Sequence, residues 1–179
     1  MRIIPTNYEF IRMYEQKNKQ LLVIFLLLVV IDQISKYLIR SHGGFYICNK
    51  GIAFGLKLPE ILILFLSIML VLCLGCLILN YKFKILNEIK IKKLKNLKLI
   101  ENLKLKIKNY RSVKIGMIII IAGATSNVLD RLMHGCVIDF IDLKIWPVFN
   151  LADSFIVIGV IILILKTQTT KSQNTNIPQ

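Results

Sequence analysis

The sequence has few residues of the types that build metal centres or disulfide frameworks. It contains two histidines, His42 and His134, and four cysteines at positions 48, 73, 76 and 136. A zinc hydrolase uses patterns such as HExxH or paired cysteines and histidines, and neither pattern occurs here. The cysteines are also too few and too widely spaced for a disulfide-rich secreted scaffold. We therefore expect no metal site, and nothing in the sequence indicates another cofactor.

Two further catalytic patterns are missing. No GxSxG sequence surrounds Ser126 or Ser154, which argues against a serine hydrolase. Cys73 and Cys76 have CxxC spacing, but they lie in the middle of an uncharged apolar segment, without the charged neighbours that activate a thiol. We expect these two cysteines to be small residues of the protein core rather than a redox pair.

Acidic residues are scarce, whereas apolar and basic residues are abundant. The chain has 10 Asp and Glu against 24 Lys and Arg, a formal net charge of +14, and 55% of its 179 residues are hydrophobic. Ordinary soluble domains have roughly 45–50% apolar residues, so the excess argues against a soluble enzyme. A strongly basic chain can also be a nucleic-acid binder, and the positions of the charges decide between these classes.

Four apolar segments have about the length needed to cross a bilayer as helices. A spanning helix needs about 20 apolar residues, and the sequence offers residues 21–39, 61–79, 115–133 and 149–165. The first segment is too long for a signal-peptide core and lacks a following cleavage site, so we interpret it as an uncleaved helix. The sequence therefore predicts an all-α membrane protein with four transmembrane helices. We expect a small outer region, with room for short β-strands, between helices 1 and 2 and a short outer loop between helices 3 and 4.

The distribution of lysine and arginine predicts the orientation of these helices. Residues 80–114 contain eleven Lys and one Arg, and further basic residues lie in the N-terminal extension, residues 1–20, and in the tail, residues 166–179. Cytoplasmic loops retain basic residues, so both termini are predicted to be cytoplasmic. Topology thus explains most of the net charge, which argues against nucleic-acid binding. We interpret residues 80–114 as a solvated insertion that contacts anionic headgroups, with a dedicated binding module as the alternative.

Ionisable side chains at the predicted spans gather at one face of the membrane. Such residues are costly in a bilayer and are therefore candidates for function. The third span runs outward and the fourth runs back, so their polar ends meet at the outer face. The polar residues there are Asn127, Asp130, Arg131, Asp139, Asp142, Asn150 and Asp153. Two close carboxyl groups cannot both ionise easily, so a pair can supply the acid and the base that activate water for amide hydrolysis.

Each of these carboxylates also has a purely structural interpretation. Asn150 and Asp153 match an N-cap residue and an acidic third residue at the start of a helix. Asp130 can form an ion pair with the adjacent Arg131, and Asp142 can simply be solvated. On the residues alone, a non-enzymatic transporter or assembly factor with an acidic outer site stays open.

Four sequence blocks resemble the lipoprotein signal peptidase (signal peptidase II) family. They are DQISK at residues 32–36, NKGIAF at residues 49–54, NVLDR at residues 127–131 followed by Gly135, Val137, Asp139 and Phe140, and FNLADS at residues 149–154. The blocks occur in the family's order, and the resemblance covers about residues 21–165 apart from the basic insertion. The last two blocks together are highly specific.

The resemblance implies a membrane aspartic endopeptidase at the outer face of the bacterial cytoplasmic (inner) membrane. Such an enzyme removes the signal peptide of a prolipoprotein, cutting before a cysteine that carries a diacylglyceryl group. By the family's motifs, the catalytic residues are Asp139 and Asp153. The residues implied to bind substrate or support the pair are Asn49, Gly51, Phe54, Asn127, Asp130, Arg131 and Asn150, and the structural residues near the site are Asp32, Lys36 and Ala152. The implied partners are diacylglyceryl-prolipoproteins and membrane lipids, without nucleic acid, and we expect a monomer.

Two features depart from the usual pattern of that family. Ala122 and Ser126 stand where glycine is common, and each adds a side chain at a position suited to close helix approach. Only 13 residues separate Asp139 from Asp153, so the outer loop between them must turn back tightly. Trp146 in this loop suits the membrane interface.

Overall fold

The computed structural model describes residues 7–51, 58–91 and 97–174. Its elements in chain order are α1 (Asn7–Ser41), β1 (Ile47–Asn49), α2 (Glu60–Ile91), α3 (Leu97–His134), β2 (Val137–Asp139) and α4 (Leu151–Asn174). Within these ranges three segments are long and apolar enough to cross a membrane, namely Lys19–Ser41, Glu60–Asn80 and Tyr110–His134. They contain the first three predicted spans. The fourth predicted span, residues 149–165, begins two residues before α4, and α4 is not one of these three.

All four helices extend beyond the apolar segments that predicted them. Helix α1 begins within the predicted N-terminal extension, and α4 continues to Asn174. Helices α2 and α3 continue into the basic segment at residues 80–114, of which residues 92–96 lie outside the described residues. Hydrophobicity marks only the part of a helix that suits a bilayer, and Lys, Leu and Glu favour continued helix on either side.

Small residues bring α3 and α4 into close contact. A Cβ atom on Gly159 of α4 would lie 2.7 Å from the carbonyl oxygen of Gly116 on α3, and one on Gly123 would overlap the carbonyl oxygen of Ala152. Ala122 and Ala152 are fully buried. The backbones of the two helices thus touch without intervening side chains, as small residues allow in membrane helix pairs.

We expect Gly123→Ala to force α3 and α4 apart and to lower the free energy of unfolding by about 1–3 kcal/mol, the usual cost of overpacking. The control is Gly75→Ala on α2, because a Cβ atom there meets nothing within 4 Å. Thermal unfolding in detergent measures both variants. A Gly123→Ala protein as stable as Gly75→Ala would show that the helices separate at no cost.

The segments between α1 and α2 and between α3 and α4 form a small two-stranded sheet. Strand β1 pairs antiparallel with β2, with Ile47 opposite Asp139 and Asn49 opposite Val137. A disulfide between Cys48 and Cys136 joins the same two segments across 88 residues of sequence. The predicted strand region between α1 and α2 is therefore only half of the sheet, since β2 lies between α3 and α4.

The loop between α3 and α4 turns back tightly, as its length requires. Ile141 and Phe149 form an isolated antiparallel bridge, which closes the loop at its base. Lys144 has a φ of 66°, a left-handed conformation that is uncommon outside glycine, and its backbone N–H donates to Asp142 Oδ1 at 2.8 Å. The loop delivers β2 and the start of α4 to neighbouring positions.

Much of the helix surface is apolar and exposed, as expected for helices that face lipid. Cys73 and Cys76 belong to this surface, so the prediction that they lie in the core is wrong. In a soluble protein an uncharged helix is buried in the core. In a membrane protein lipid accepts the same residues, and apolarity alone does not show which face packs against protein.

Candidate active site

Asp139 occupies the last position of β2 and is almost completely buried, with 2% of its surface exposed. Its Oδ1 accepts a hydrogen bond from Asn150 Nδ2 at 2.7 Å, and its Oδ2 accepts one from Asn49 Nδ2 at 2.9 Å. The two donors come from the start of α4 and from β1. The pairing of the two strands therefore places Asn49 against this carboxyl group.

Asp153 is the third residue of α4 and takes part in its N-terminal cap. Its backbone N–H donates to Asn150 Oδ1 at 2.9 Å, and its own Oδ2 accepts from the Asn150 N–H at 3.3 Å. This reciprocal arrangement confirms the capping interpretation. Asp153 Oδ1 also accepts a hydrogen bond from Asn127 Nδ2 at 2.8 Å, so its other oxygen contacts α3.

Two buried amides connect the carboxyl groups of Asp139 and Asp153. Asn150 Nδ2, which donates to Asp139, also donates to Asn127 Oδ1 at 3.1 Å, and Asn127 in turn donates to Asp153. Both carboxyl groups line one groove of about 1060 Å³. The same groove is also lined by Asn49, Gly51, Asn127 and Arg131. Two acidic groups thus face a common space that can hold an extended peptide.

The surroundings of Asp139 raise its pKa to about 6. Burial is the largest cause, because it disfavours the charged form. The hydrogen bond from Asn49 acts in the opposite direction, and the negative charge of Asp153 raises the pKa further. A carboxyl group with a pKa near 6 can hold a proton or release it close to neutral pH, which suits general acid–base chemistry.

A buried ion cluster lies behind this site and connects α1 to the rest of the protein. Lys36 Nζ lies 2.6 Å from Asp32 Oδ2 and 2.8 Å from Asp130 Oδ2, and at most 2% of any of the three side chains is exposed. Asp130 therefore pairs with Lys36, and its interpretation as the partner of the adjacent Arg131 is wrong. The Lys36 ammonium also donates to Asn127 Oδ1 at 3.0 Å.

Asp32 and Asp130, the two carboxylates of the cluster, also bind backbone groups next to Asp139 and Asp153, which we call the acidic pair. Asp32 Oδ1 accepts from the N–H of Ala152 at 2.9 Å, at the start of α4. Asp130 Oδ2 accepts from the N–H of Ile138 at 3.1 Å, in β2. One charged cluster therefore holds in place the two elements that carry Asp139 and Asp153.

Arg131 connects α3 with the segment that follows β1. Its guanidinium donates to the carbonyl oxygens of Asn127 and Gly51, both at 3.4 Å. The N–H of Gly51 donates to Asn49 Oδ1 at 2.9 Å, which orients the Asn49 amide. Phe54 lies outside the described residues. Asp142 stands apart from these contacts and pairs with the exposed Lys144 at 2.6 Å.

Sequence reasoning missed two groups that support the site. Ser126 Oγ donates to Asp32 Oδ2 at 2.7 Å, and Gln33 Nε2 donates to Ser126 Oγ and Asp130 Oδ1, both at 2.9 Å. The side chain that departs from the usual glycine thus makes a polar contact with α1. The signal was a polar residue inside an apolar helix, which needs a partner. The cross-link between Cys48 and Cys136 was also missed, and the spacing of the cysteines offered no signal for it.

The arrangement suits hydrolysis by paired carboxyl groups. Across the described ranges, no group of three or more His, Cys, Asp or Glu residues is placed to hold a metal ion. The groove is lined by two acidic groups in contact with amide donors and by an arginine. A carboxylate can accept a proton from water, and a neighbouring carboxylic acid can donate one to a carbonyl oxygen.

Comparison with known proteins agrees with the motifs. The chain matches the family model "Signal peptidase (SPase) II" over residues 24–169. It is 34% identical over 156 residues to the lipoprotein signal peptidase of Moorella thermoacetica, covering 79% of this chain and 88% of that protein. It is 36% identical over 155 residues to the one from Syntrophomonas wolfei, covering 79% and 87%.

The fold also resembles two solved structures, each described as a bacterial membrane enzyme. One aligns with a TM-score of 0.63 at 24% identity over 90% of this chain and 94% of the other. The second aligns with a TM-score of 0.58 at 26% identity over 82% and 91%. Since the family match extends over most of the sequence and includes both acidic blocks, the chain belongs to the signal peptidase II family of membrane peptidases.

Proposed function

We propose that this protein is an aspartic endopeptidase that removes the signal peptide from diacylglyceryl-modified prolipoproteins, cutting before the lipidated cysteine. The observation that carries the proposal is the joining of Asp139 and Asp153 through Asn127 and Asn150 in one groove. A purely structural cap needs only Asn150 and Asp153. The second buried carboxyl group, facing the same space, is what a water-activating pair requires.

In the proposed reaction, Asp139 begins protonated and Asp153 begins ionised. The N-terminus of α4 and the amide of Asn127 favour the negative charge of Asp153. Asp153 accepts a proton from water as the water oxygen bonds to the scissile carbonyl carbon, and Asp139 donates its proton to the carbonyl oxygen. The C–N bond then breaks as the proton held by Asp153 passes to the leaving nitrogen. One hydroxyl group on the former carbonyl carbon returns a proton to Asp139, so both carboxyl groups end as they began.

The groove has apolar lining that suits a signal helix and acidic groups that suit a scissile bond. Leu70 of α2 and Ile156 and Val157 of α4 are among its apolar lining residues, and Asp139 and Asp153 are its acidic ones. A substrate whose acyl chains and signal helix are held by the bilayer presents its scissile bond at a defined depth. Much of the positioning that catalysis needs then comes from the membrane itself.

The proposed topology has four spanning helices, including α4, with both termini in the cytoplasm and the site at the outer face. Two observations support it. The dense basic segment at residues 80–114 joins α2 to α3 at the end opposite the sheet. The cross-link between Cys48 and Cys136 lies on the sheet side, and disulfides persist in oxidising compartments outside the cytoplasm.

The proposal is tested by incubating the purified protein with a synthetic diacylglyceryl precursor across a range of pH. We expect mass spectrometry to find one cut, which leaves the lipidated cysteine as the new amino terminus. Because the acid form of Asp139 is required, kcat/KM should fall as pH rises above about 6. A matched precursor without the lipid is the control for specificity. No cleavage at any pH, or cleavage elsewhere in the precursor, would refute the proposal.

A further inference from the structure

We propose that the disulfide between Cys48 and Cys136 is a positioning cross-link for the acidic pair, so that peptidase activity depends on its oxidised state. The inference rests on the proposed function, since it concerns how Asp139 is held. Cys48 directly precedes Asn49, which donates to Asp139, and Cys136 directly precedes β2, which ends at Asp139. Their Cα atoms lie 5.4 Å apart.

The cross-link and the hydrogen bond from Asn49 to Asp139 belong to the same pair of strand segments. Side chains alternate between the two faces of a strand, so Asn49 and Asp139 share one face and Cys48 points to the other. Each strand has only three residues. An isolated two-stranded sheet is marginally stable in water, and a sheet with strands this short therefore needs a further restraint.

The two strands differ in how they are otherwise held. Strand β2 is fixed to α3 through the contact between Asp130 and the Ile138 N–H at 3.1 Å. Next to β1, the described contacts are the 3.4 Å contact from Arg131 to Gly51 and an exposed ion pair between Lys50 and Glu60. An exposed ion pair such as the one between Lys50 and Glu60 contributes little stability. The disulfide is therefore the strongest link that keeps Asn49 against Asp139.

Formation of the Cys48–Cys136 disulfide needs a two-electron oxidant. The thiols of Cys48 and Cys136 together lose two protons and two electrons as the S–S bond forms, and a disulfide of a thiol–disulfide oxidant on the outer side takes them up as two thiols. Cys48 is exposed and can be reached by such a partner, whereas Cys136 is 3% exposed. A dithiol reductant reverses the reaction, because its two thiols are oxidised to a disulfide while Cys48 and Cys136 return to thiols.

The pH profile of cleavage separates a positioning role from a merely structural one. The charged groups that face Asp139 are Asp153 of α4, Lys36 of α1 and Arg131 of α3. Of the groups that lower the pKa of Asp139, the hydrogen bond from Asn49 has the largest effect. When reduction frees β1, this hydrogen bond is lost, and the alkaline limb of the kcat/KM profile should move to higher pH.

The experiment uses a Cys73→Ala, Cys76→Ala background, because these exposed cysteines of α2 are the other two thiols. Maleimide labelling after denaturation should find no free thiol in the untreated enzyme and two after dithiothreitol. We expect reduction to lower kcat/KM by about 10-fold to 100-fold, as for a small misplacement of a catalytic group. The alkaline limb of the pH profile should move to higher pH. Reoxidation should restore both kcat/KM and the pH profile. Asn49→Ala should show the same shift without any reductant.

Several outcomes would overturn the inference. Labelling of two thiols before reduction would show that the cross-link does not form, even in enzyme isolated under oxidising conditions. Complete reduction with an unchanged pH profile and kcat/KM, or with only a lower melting temperature, would show that the disulfide has a structural role and does not position the acidic pair. The Asp139→Asn variant keeps the two proposals apart. If it is inactive in both redox states, the proposed function stands whatever the disulfide does, whereas an active Asp139→Asn variant refutes that function directly.

Discussion

Asp139→Asn and Asp153→Asn are each expected to lower kcat for cleavage of a lipidated precursor by at least about 10³-fold, because general acid–base catalysis is removed. Asparagine keeps the size of the side chain but can neither donate nor accept the proton that the reaction transfers. In the proposed mechanism the acid and the base act as a unit, so loss of either member should have nearly the full effect. Gel analysis of precursor processing, with purified and membrane-inserted protein, measures the result.

Asp142→Asn is the matched control for these two variants. Asp142 lies three residues beyond Asp139 in the loop between α3 and α4, and it pairs with the exposed Lys144 rather than with Asn127 or Asn150. We expect this variant to cleave at close to the wild-type rate. Normal processing by Asp139→Asn or Asp153→Asn would remove that residue from the mechanism. Strong inhibition by Asp142→Asn would show that general damage to the loop explains the losses.

The sequence alone located the polar ends of the helices, because polar residues in an apolar segment are conspicuous. It placed Asp130, Asp139 and Asp153 in one region and predicted the cap that Asn150 and Asp153 form. It could not assign partners across helices. Asp130 was interpreted beside Arg131, its neighbour in the chain, whereas its ion-pair partner Lys36 lies on α1. Such pairing depends on how helices pack, which hydrophobic periodicity does not reveal in a membrane protein.

The small sheet was the least predictable part of the site. Strands of three residues carry almost no periodic signal, and β1 and β2 are separated by α2 and α3. Neither the register nor the cross-link between Cys48 and Cys136 follows from local sequence. The departure at Ser126 was visible in the sequence, yet its meaning depended on the position of Asp32 on another helix. Contacts between distant segments thus account for most of what the sequence left open.

Lys36→Met is expected to lower the free energy of unfolding by about 3–5 kcal/mol, the usual cost of removing one partner from a buried ion pair. Methionine has nearly the length of lysine, so the change removes the charge and leaves little empty space. Asp32 and Asp130, at most 2% exposed, then lose the cation that lies 2.6 and 2.8 Å away. Denaturant or thermal unfolding in detergent measures the effect, with Lys50→Met as the control. The Lys50 pair with Glu60 is exposed, and we expect its loss to cost at most about 1 kcal/mol.

A double-mutant cycle identifies the charge as the cause. Asp32→Asn in the Lys36→Met background removes one of the two carboxylates left without a cation, so we expect it to recover part of the lost free energy. In the wild-type background the same Asp32→Asn change should destabilise, because it weakens the contact with Lys36 and the acceptor for the Ala152 N–H. A cost for Lys36→Met no larger than for Lys50→Met would mean that the cluster is readily solvated or neutralised. Asp32 and Asp130 would then hold α4 and β2 by their hydrogen bonds alone, without help from the Lys36 charge.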